Sequence, residues 1–247
     1  MPDLDWNKGT WDGSYDWSKA GDEWSASWGT SEAMWFGTIM PRIAFALPAS
    51  MVLEIAPGHG RCTNMLLRFA RGYRGVDLSE LCVQFCRQRF AAHPEAEFFV
   101  NDGKSLAVVA GRAFDLIFSY DSLVHADMDA MEPYIPQIVQ MLAPGGAAFI
   151  HHSNLAASPG VEHGLRSTEV SAERIAALVE KSGGRVLIQE IWGGNAKADS
   201  DCFSTFCKAS DYAGIERRSL INRLMGQEAI VARENFQPYL SLRSARP

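Results

Sequence analysis

An apolar run that breaks into a glycine-bearing turn constrains this chain most: Val52-Leu53-Glu54-Ile55-Ala56-Pro57-Gly58-His59-Gly60-Arg61-Cys62-Thr63. Gly58 and Gly60 have no Cβ, so the backbone there can turn sharply and approach a ligand closely. A helix starting near Cys62 would point free N–H groups back at the loop. Two later apolar runs end in acids: Arg74-Gly75-Val76-Asp77-Leu78-Ser79 and Phe98-Phe99-Val100-Asn101-Asp102-Gly103. Asp77 can accept hydrogen bonds from both hydroxyls of a ribose, as an acid about 20 residues beyond the glycines does in dinucleotide folds. Acids that merely cap helices are the plainer account, and Asp77-Leu78-Ser79-Glu80 does read as a helix start. Yet three successive strand ends agree, which capping does not require. The nicotinamide fingerprint fails, because its third glycine would fall at Thr63.

From residue 51 onward, strands near 51–56, 73–77, 97–100, 114–120 and 146–152 alternate with helical patterns at 62–70, 79–91 and 129–142. Such alternation predicts a parallel sheet with helices on both faces. Leu142-Ala143-Pro144-Gly145-Gly146 reads as a turn closing the third of these helices. Ser171 caps a helix over Ala172 to Lys181, stopped by Gly183-Gly184. Arg185 to Trp192 and Cys202 to Lys208 read as two further strands. The linker from Gly193 to Asp201 is too short for a crossover helix, so this pair is expected to be antiparallel.

Glycine loop, two acids and a reversed last strand together resemble the class I S-adenosylmethionine (SAM)-dependent methyltransferases. The resemblance implies an α/β fold with a Rossmann-like sheet, mostly parallel, ending in an antiparallel C-terminal hairpin under a Trp-rich N-terminal cap. It implies SAM as cofactor and S-adenosylhomocysteine (SAH) as product, held by Glu54, Ala56, Gly58, Gly60, Asp77, Leu78, Asn101, Asp102, Gly103 and Tyr120. Asp102 would hold the adenine amino group, and Glu54 would brace the loop or reach the methionine end. The chain departs from the family at Ala56-Pro57, where the first glycine of the loop is usual. Over roughly 24–155, the Trp-rich leader, Pro41-Arg42-Ile43 and the ends of strands four and five resemble methyltransferases of bacterial polysaccharide or natural-product sugars. That implies a hydroxyl of a sugar or sugar-bearing small molecule as acceptor. N-methylation of an amino sugar or another small amine is the nearest alternative.

In open α/β sheets, ligands bind beyond the carboxyl ends of the strands. Strand four leads into Tyr120-Asp121-Ser122-Leu123-Val124-His125, and strand five into His151-His152-Ser153-Asn154. Methyl transfer asks the protein to position the acceptor and take its proton. A sugar hydroxyl is a poor nucleophile, and a histidine near neutrality suits it as base. His125 is the first candidate and His152 the second; His151 and His152 alternate across the strand, so only one faces the site. Asp121 would orient the acceptor, bind the cofactor or hold His125, and Asn154 would contact the acceptor. His125, Asp127, Asp129, His151, His152 and His163 could in principle ligate magnesium. Asp127 and Asp129 suit the first turn of a helix better, so no metal is expected.

At 247 residues, 47% of them hydrophobic, the chain suits one α/β domain with additions. Residues 51–210 would carry the domain, between a cap or lid over 1–50 and a helical extension over 211–247. A net charge of −6 argues against a nucleic-acid track, which needs a clustered basic surface. The basic stretch Glu216 to Arg223, interleaved with Leu220, Ile221 and Leu224, reads as one face of an amphipathic helix. Segment 212–233 could thus pair subunits in a homo-oligomer or pack on its own domain. Five cysteines without a Cys-x-x-Cys pair fit a reduced, cytoplasmic chain. The apolar region from 39 to 55 is interrupted by Pro41, Arg42 and Pro48, so no membrane span is expected. Six of the seven tryptophans lie in the leader, among aspartates and glycines too numerous for an independent core. Trp24, Trp28 and Trp35, at near-helical spacing, could simply anchor it. The expectation is a lid over 1–40 in which Trp28 and Trp35 touch the ligands.

Overall fold

The computed structural model describes residues 3–161, 164–193 and 199–244. Its eight strands are β1 (Ala49–Ile55), β2 (Ala70–Asp77), β3 (Ala96–Val100), β4 (Phe114–Ser119), β5 (Leu142–Ser153), β6 (Gly184–Trp192), β7 (Asp201–Lys208) and β8 (Arg218–Ile221). They form one sheet in the order β3-β2-β1-β4-β5-β7-β6-β8. β7 alone runs against its neighbours, paired antiparallel to both β5 and β6. The mostly parallel sheet with a reversed strand is therefore as the resemblance implied. Strand order turns back between β1 and β4, and in such folds ligands bind beyond the carboxyl ends of the strands at that switch point.

The helices are α1 (Leu4–Gly9), α2 (Ser31–Met34), α3 (Met40–Ile43), α4 (Thr63–Leu66), α5 (Glu80–Arg89), α6 (Met128–Met141), α7 (Ala172–Lys181), α8 (Met225–Val231) and α9 (Gln237–Ser244). Ser79 and Ser171 cap α5 and α7, accepting from the N–H groups of Cys82 and Arg174. One sheet face packs against α6 and α7 through Ile117, Ile135, Ile138, Ile150, Ile175 and Val179. The other takes Trp35, Ile39 and Ile43 from the leader, Leu66, Val83 and Cys86, and Met225 and Ala229 from α8. Both layers need these strands to be apolar on both faces, which explains their near-continuous hydrophobic runs.

Three local expectations are corrected. The helix expected over 62–70 is only α4, because the chain is already pairing as β2 from Ala70, opposite Ala49. The turn at Pro144-Gly145 lies inside β5, where the register with β4 shifts between Phe114 and Leu116. The amphipathic helix read across 217–224 is instead strand β8, which uses the free edge of β6, with helix starting only at Met225. Leu220 and Ile221 stay exposed on that edge.

The C-terminal helices pack on the root of the leader. A Cβ on Gly37 would come 2.6 Å from the Ala232 side chain. Arg42 of α3 reaches both Glu190 of β6 (Nε to Oε2, 2.7 Å) and Glu228 of α8 (Nη1 to Oε2, 3.0 Å), bidentate to each. Within the described residues no helix is long and apolar enough to cross a membrane.

Candidate functional site

The loop after β1 is built by backbone conformation. Ala56, Gly58 and Gly60 all have positive φ, at 56°, 58° and 82°. Ala56 thus adopts the left-handed form that the usual glycine would supply, at a cost of about 1–2 kcal/mol. Gly60 has no such latitude, since a Cβ there would fall on the Phe90 ring. Gly60→Ala is expected to destabilise the fold by about 1–3 kcal/mol, through strain and overpacking. A shift of the urea midpoint within error of wild type would contradict that.

Asp77, at the tip of β2, closes the loop from the side. Its Oδ2 accepts from Gly58 N–H and its Oδ1 from Ser79 N–H, each at 2.9 Å. Burial raises its carboxyl to about pKa 6 despite these donors. Glu54 lies beneath, its Oε2 accepting from Thr63 (2.7 Å) and Tyr73 (2.5 Å). Burial raises Glu54 to about 7, against the pull of those hydroxyls. Both acids are therefore poised to become more firmly ionised when a donor or a cation arrives.

One cleft joins these residues to the end of β4. It is lined by Glu54, Ala56, Gly58, Asp77, Leu78, Asn101, Gly103, Tyr120, Asp121 and His125, all among the residues read from the sequence, while Gly60 and Asp102 of that reading do not line it. Asp127 and Asp129 also line it, whereas the Asp129 carboxylate pairs with Lys104 at 3.0 Å. Among the described residues no three His, Cys, Asp or Glu side chains converge to hold a metal ion; His163 lies outside them.

His125 is 3% exposed. Its Nδ1 is hydrogen-bonded to the carbonyl of Leu165, which fixes the ring and puts the proton on that nitrogen. Nε2 has no partner among the described residues. Burial, reinforced by Arg166, lowers the ring to about pKa 4, so it is neutral at pH 7. Trp11 packs on it at 5.3 Å between ring centroids and Trp6 at 6.3 Å.

The roof is the tip of the leader. Trp11, Trp17 and Trp24 line the cleft, together with Asp3, Leu4 and Asn7. Trp17 lies over Gly58 and stacks on His59 at 4.3 Å, and His59 in turn stacks on Phe85 at 3.8 Å. Asn7 donates to the carbonyl of His125 at 2.9 Å. The tip is thus bonded to both strand ends that bound the crevice.

Several expected site residues lie elsewhere. Trp28 and Trp35 are core residues: Trp28 donates to Thr38 at 2.9 Å, and Trp35 packs on Phe118. Neither lines the cleft, and a lid extending to residue 40 is corrected accordingly; only the tip covers the cleft, while residues 28–43 are anchored in the sheet's core. His152 points to the opposite sheet face, bonded to Ser153 O (2.7 Å) and Ser204 Oγ (2.8 Å), so it cannot reach an acceptor. Asn154 bonds Asp199 O and Ala172 N–H, anchoring the start of α7. Asp102 is exposed and caps its own turn at Lys104 N–H (2.9 Å) and Ser105 N–H (2.6 Å). Those donors hold its carboxyl below the usual range.

Arg61 was missed, and His151 was weighed only as the alternate of His152 and as a metal ligand. Arg61, buried beside the loop, donates to Ser25 of the leader and Asp121 of the β4 end, each at 3.1 Å. His151 packs against Tyr120, Trp192 and Phe203, behind the cleft wall and not among its lining residues. The alternation expected of the His151-His152 pair holds, and the aromatic neighbours on β6 and β7 were the only clue to which one faces inward.

A family profile described as a methyltransferase domain matches residues 52–146. Among solved structures, the chain is similar to the N-methyltransferase NodS from Bradyrhizobium japonicum in complex with SAH, at 20% identity and TM-score 0.56, covering 69% of this chain and 84% of that one. It is similar to a SAM-dependent methyltransferase from Clostridium acetobutylicum, at 16% identity and TM-score 0.58, covering 78% and 95%. The glycopeptide N-methyltransferase MtfA complexed with SAM gives 16% identity and TM-score 0.52, covering 70% and 86%. At these identities the likeness is one of fold.

Proposed function

We propose that this chain, which its class I methyltransferase domain makes a SAM-dependent transferase, methylates a hydroxyl of a sugar or sugar-bearing small molecule, with His125 as proton acceptor. One observation carries the reading. A neutral histidine, its Nδ1 committed to Leu165 and its Nε2 unbonded, sits in one cleft with the glycine loop and three tryptophans. The glycine loop offers close backbone approach, and the Asp77 and Glu54 carboxylates match ribose hydroxyls and an ammonium, so these residues fit SAM. Bound SAM supplies a methyl group already activated on a sulfonium. The protein's own work is then to orient the acceptor, exclude water and remove one proton at His125 Nε2. Trp11 and Trp24 offer apolar ring faces of the kind that pack against a sugar.

We take residues 51–210 as the catalytic domain, 1–50 as a leader whose tip is the lid, and 211–247 as an extension supporting its root. The five cysteines of the described chain are all unpaired, which supports work in a reducing cytoplasm. Labelled SAM offered with sugar-bearing acceptors should give O-methyl products by mass spectrometry. Transfer only to amines would replace this reading with N-methylation.

Asp77 should bind ribose as an ionised acceptor. Asp77→Ala is expected to weaken SAH by about 1.5–3 kcal/mol, the range of hydrogen bonds to a charged group. Its raised pKa also fixes a sign. Wild-type SAH affinity should fall as pH drops through about 6, where the carboxylate takes a proton. Calorimetry showing affinity flat between pH 7.5 and pH 5, conditions flanking that value, would remove Asp77 from the binding set.

A further inference from the structure

Beyond the cleft wall lies a polar chain that the proposed chemistry does not use. Asp121 follows β4 with φ of 62°, a left-handed conformation that a non-glycine residue keeps only when held. Arg166 Nη2 lies 4.0 Å from its Oδ1, and two closer contacts hold it. Arg61 takes its Oδ2 at 3.1 Å, and its backbone N–H donates to His151 Nδ1 at 3.2 Å. On the far side of the ring, His151 Nε2 is 2.9 Å from Asp201 Oδ1. Asp201 also accepts from Arg166 Nε at 3.0 Å and from Ser200 Oγ at 2.5 Å, and it is 2% exposed.

The donor pattern decides the state of the ring. A backbone N–H can only donate, so Nδ1 must keep its lone pair; Nε2 must then carry the proton toward Asp201. An imidazolium would set Nδ1–H against Asp121 N–H, two donors face to face. The His–Asp pair therefore resembles an acid–base dyad in composition while its geometry closes it to proton transfer.

We propose that His151 and Asp201 are positioning residues, whose neutral ring locks Asp121 in its left-handed conformation and thereby sets Arg61 and the leader tip over the cleft. The route is direct: His151 to Asp121, Asp121 to Arg61, and Arg61 to Ser25 of the leader at 3.1 Å. The inference rests on the cleft being the SAM site, and SAH is the probe. Glutamine offers one acceptor and one donor at nearly the spacing of the two imidazole nitrogens, yet takes no proton near neutrality. His151→Gln should therefore bind SAH within about twofold of wild type, whereas His151→Ala, leaving a buried N–H unpaired, should bind about 5- to 100-fold more weakly. The SAH-induced change in tryptophan fluorescence should be kept by His151→Gln and lost in His151→Ala. Nitrogen-15 spectra of the wild-type protein should show His151 neutral, with its proton on Nε2, at pH 7. That spectrum decides even if His151→Ala does not fold. A charged ring, a proton on Nδ1, or a glutamine variant as weak as alanine would overturn the proposal. A wild-type protein that binds no SAH would instead overturn the reading of the cleft.

Discussion

His125→Ala is expected to slow methyl transfer by about 10²–10⁴-fold, roughly 3–5 kcal/mol of barrier, with SAH affinity little changed. The imidazole is held by Leu165 through Nδ1 and presents Nε2 unprotonated. Its low pKa means that at neutral pH the ring is neutral and open to a proton. The rate should therefore stay level from neutrality downward and decline only as pH nears about 4. The same shift acts on stability. Because the folded value lies below the ordinary 6.5, the contribution is complete above that pH and is lost as pH falls toward 4. His125→Asn can still donate to Leu165 but cannot accept the proton. If His125→Asn turned over at the wild-type rate, the base would have to be another group.

Deleting residues 1–21 should lower kcat/KM by about 10²-fold or more, while the sheet melts near its wild-type temperature. Most of the tip, with Trp11 and Trp17, would be lost while Trp24 stays, and water would enter above the glycine loop. Deleting 1–40 is a different experiment. It removes Met34, Trp35 and Ile39, each at most 1% exposed, and the loss of a buried Trp alone costs about 3–5 kcal/mol. That chain should fail to fold rather than merely fail to turn over. Normal turnover by the shorter deletion on its true acceptor would reduce the tip to a surface ornament of the fold.

The sheet was legible because a strand buried on both faces has to be written as an apolar run, and Gly58, Asp77 and the β6–β7 linker length mark its turns. Ala172 to Lys181 was readable to the residue because Ser171 and Gly183 punctuate both ends. Residues 217–224 misled, since a four-residue exposed edge strand has no periodicity long enough to distinguish it from a helix. The tryptophans separate on their neighbours: Trp28 and Trp35 belong with Ala33, Met34, Ile39 and Ile43, the residues of a core. Trp11 and Trp17 stand among Asp12, Gly13 and Asp16, where an indole has no partner until the tip folds over the cleft. Asp102 could be placed at the right strand end but not oriented, because its own turn offers two nearer N–H donors. Arg61 and His151 act through partners 30 to 60 residues away, and no local pattern encodes such pairs.

The guanidinium of Arg42 shapes how this protein can vary. It is shared by Glu190 in the last strands and Glu228 in the final helices, so the early and late segments of the chain are joined at one half-buried node. Gly37 against Ala232 repeats the junction in apolar form. Leader and C-terminal extension are consequently one inherited unit, although the whole catalytic domain separates them in sequence. A chimaera that grafts a foreign leader to change acceptor preference would have to import the partner at Glu190 and the partner residues from 222 to 236 as well. Grafted alone, it would strand two carboxylates without their cation, and selection would see a folding defect where a new specificity had been intended.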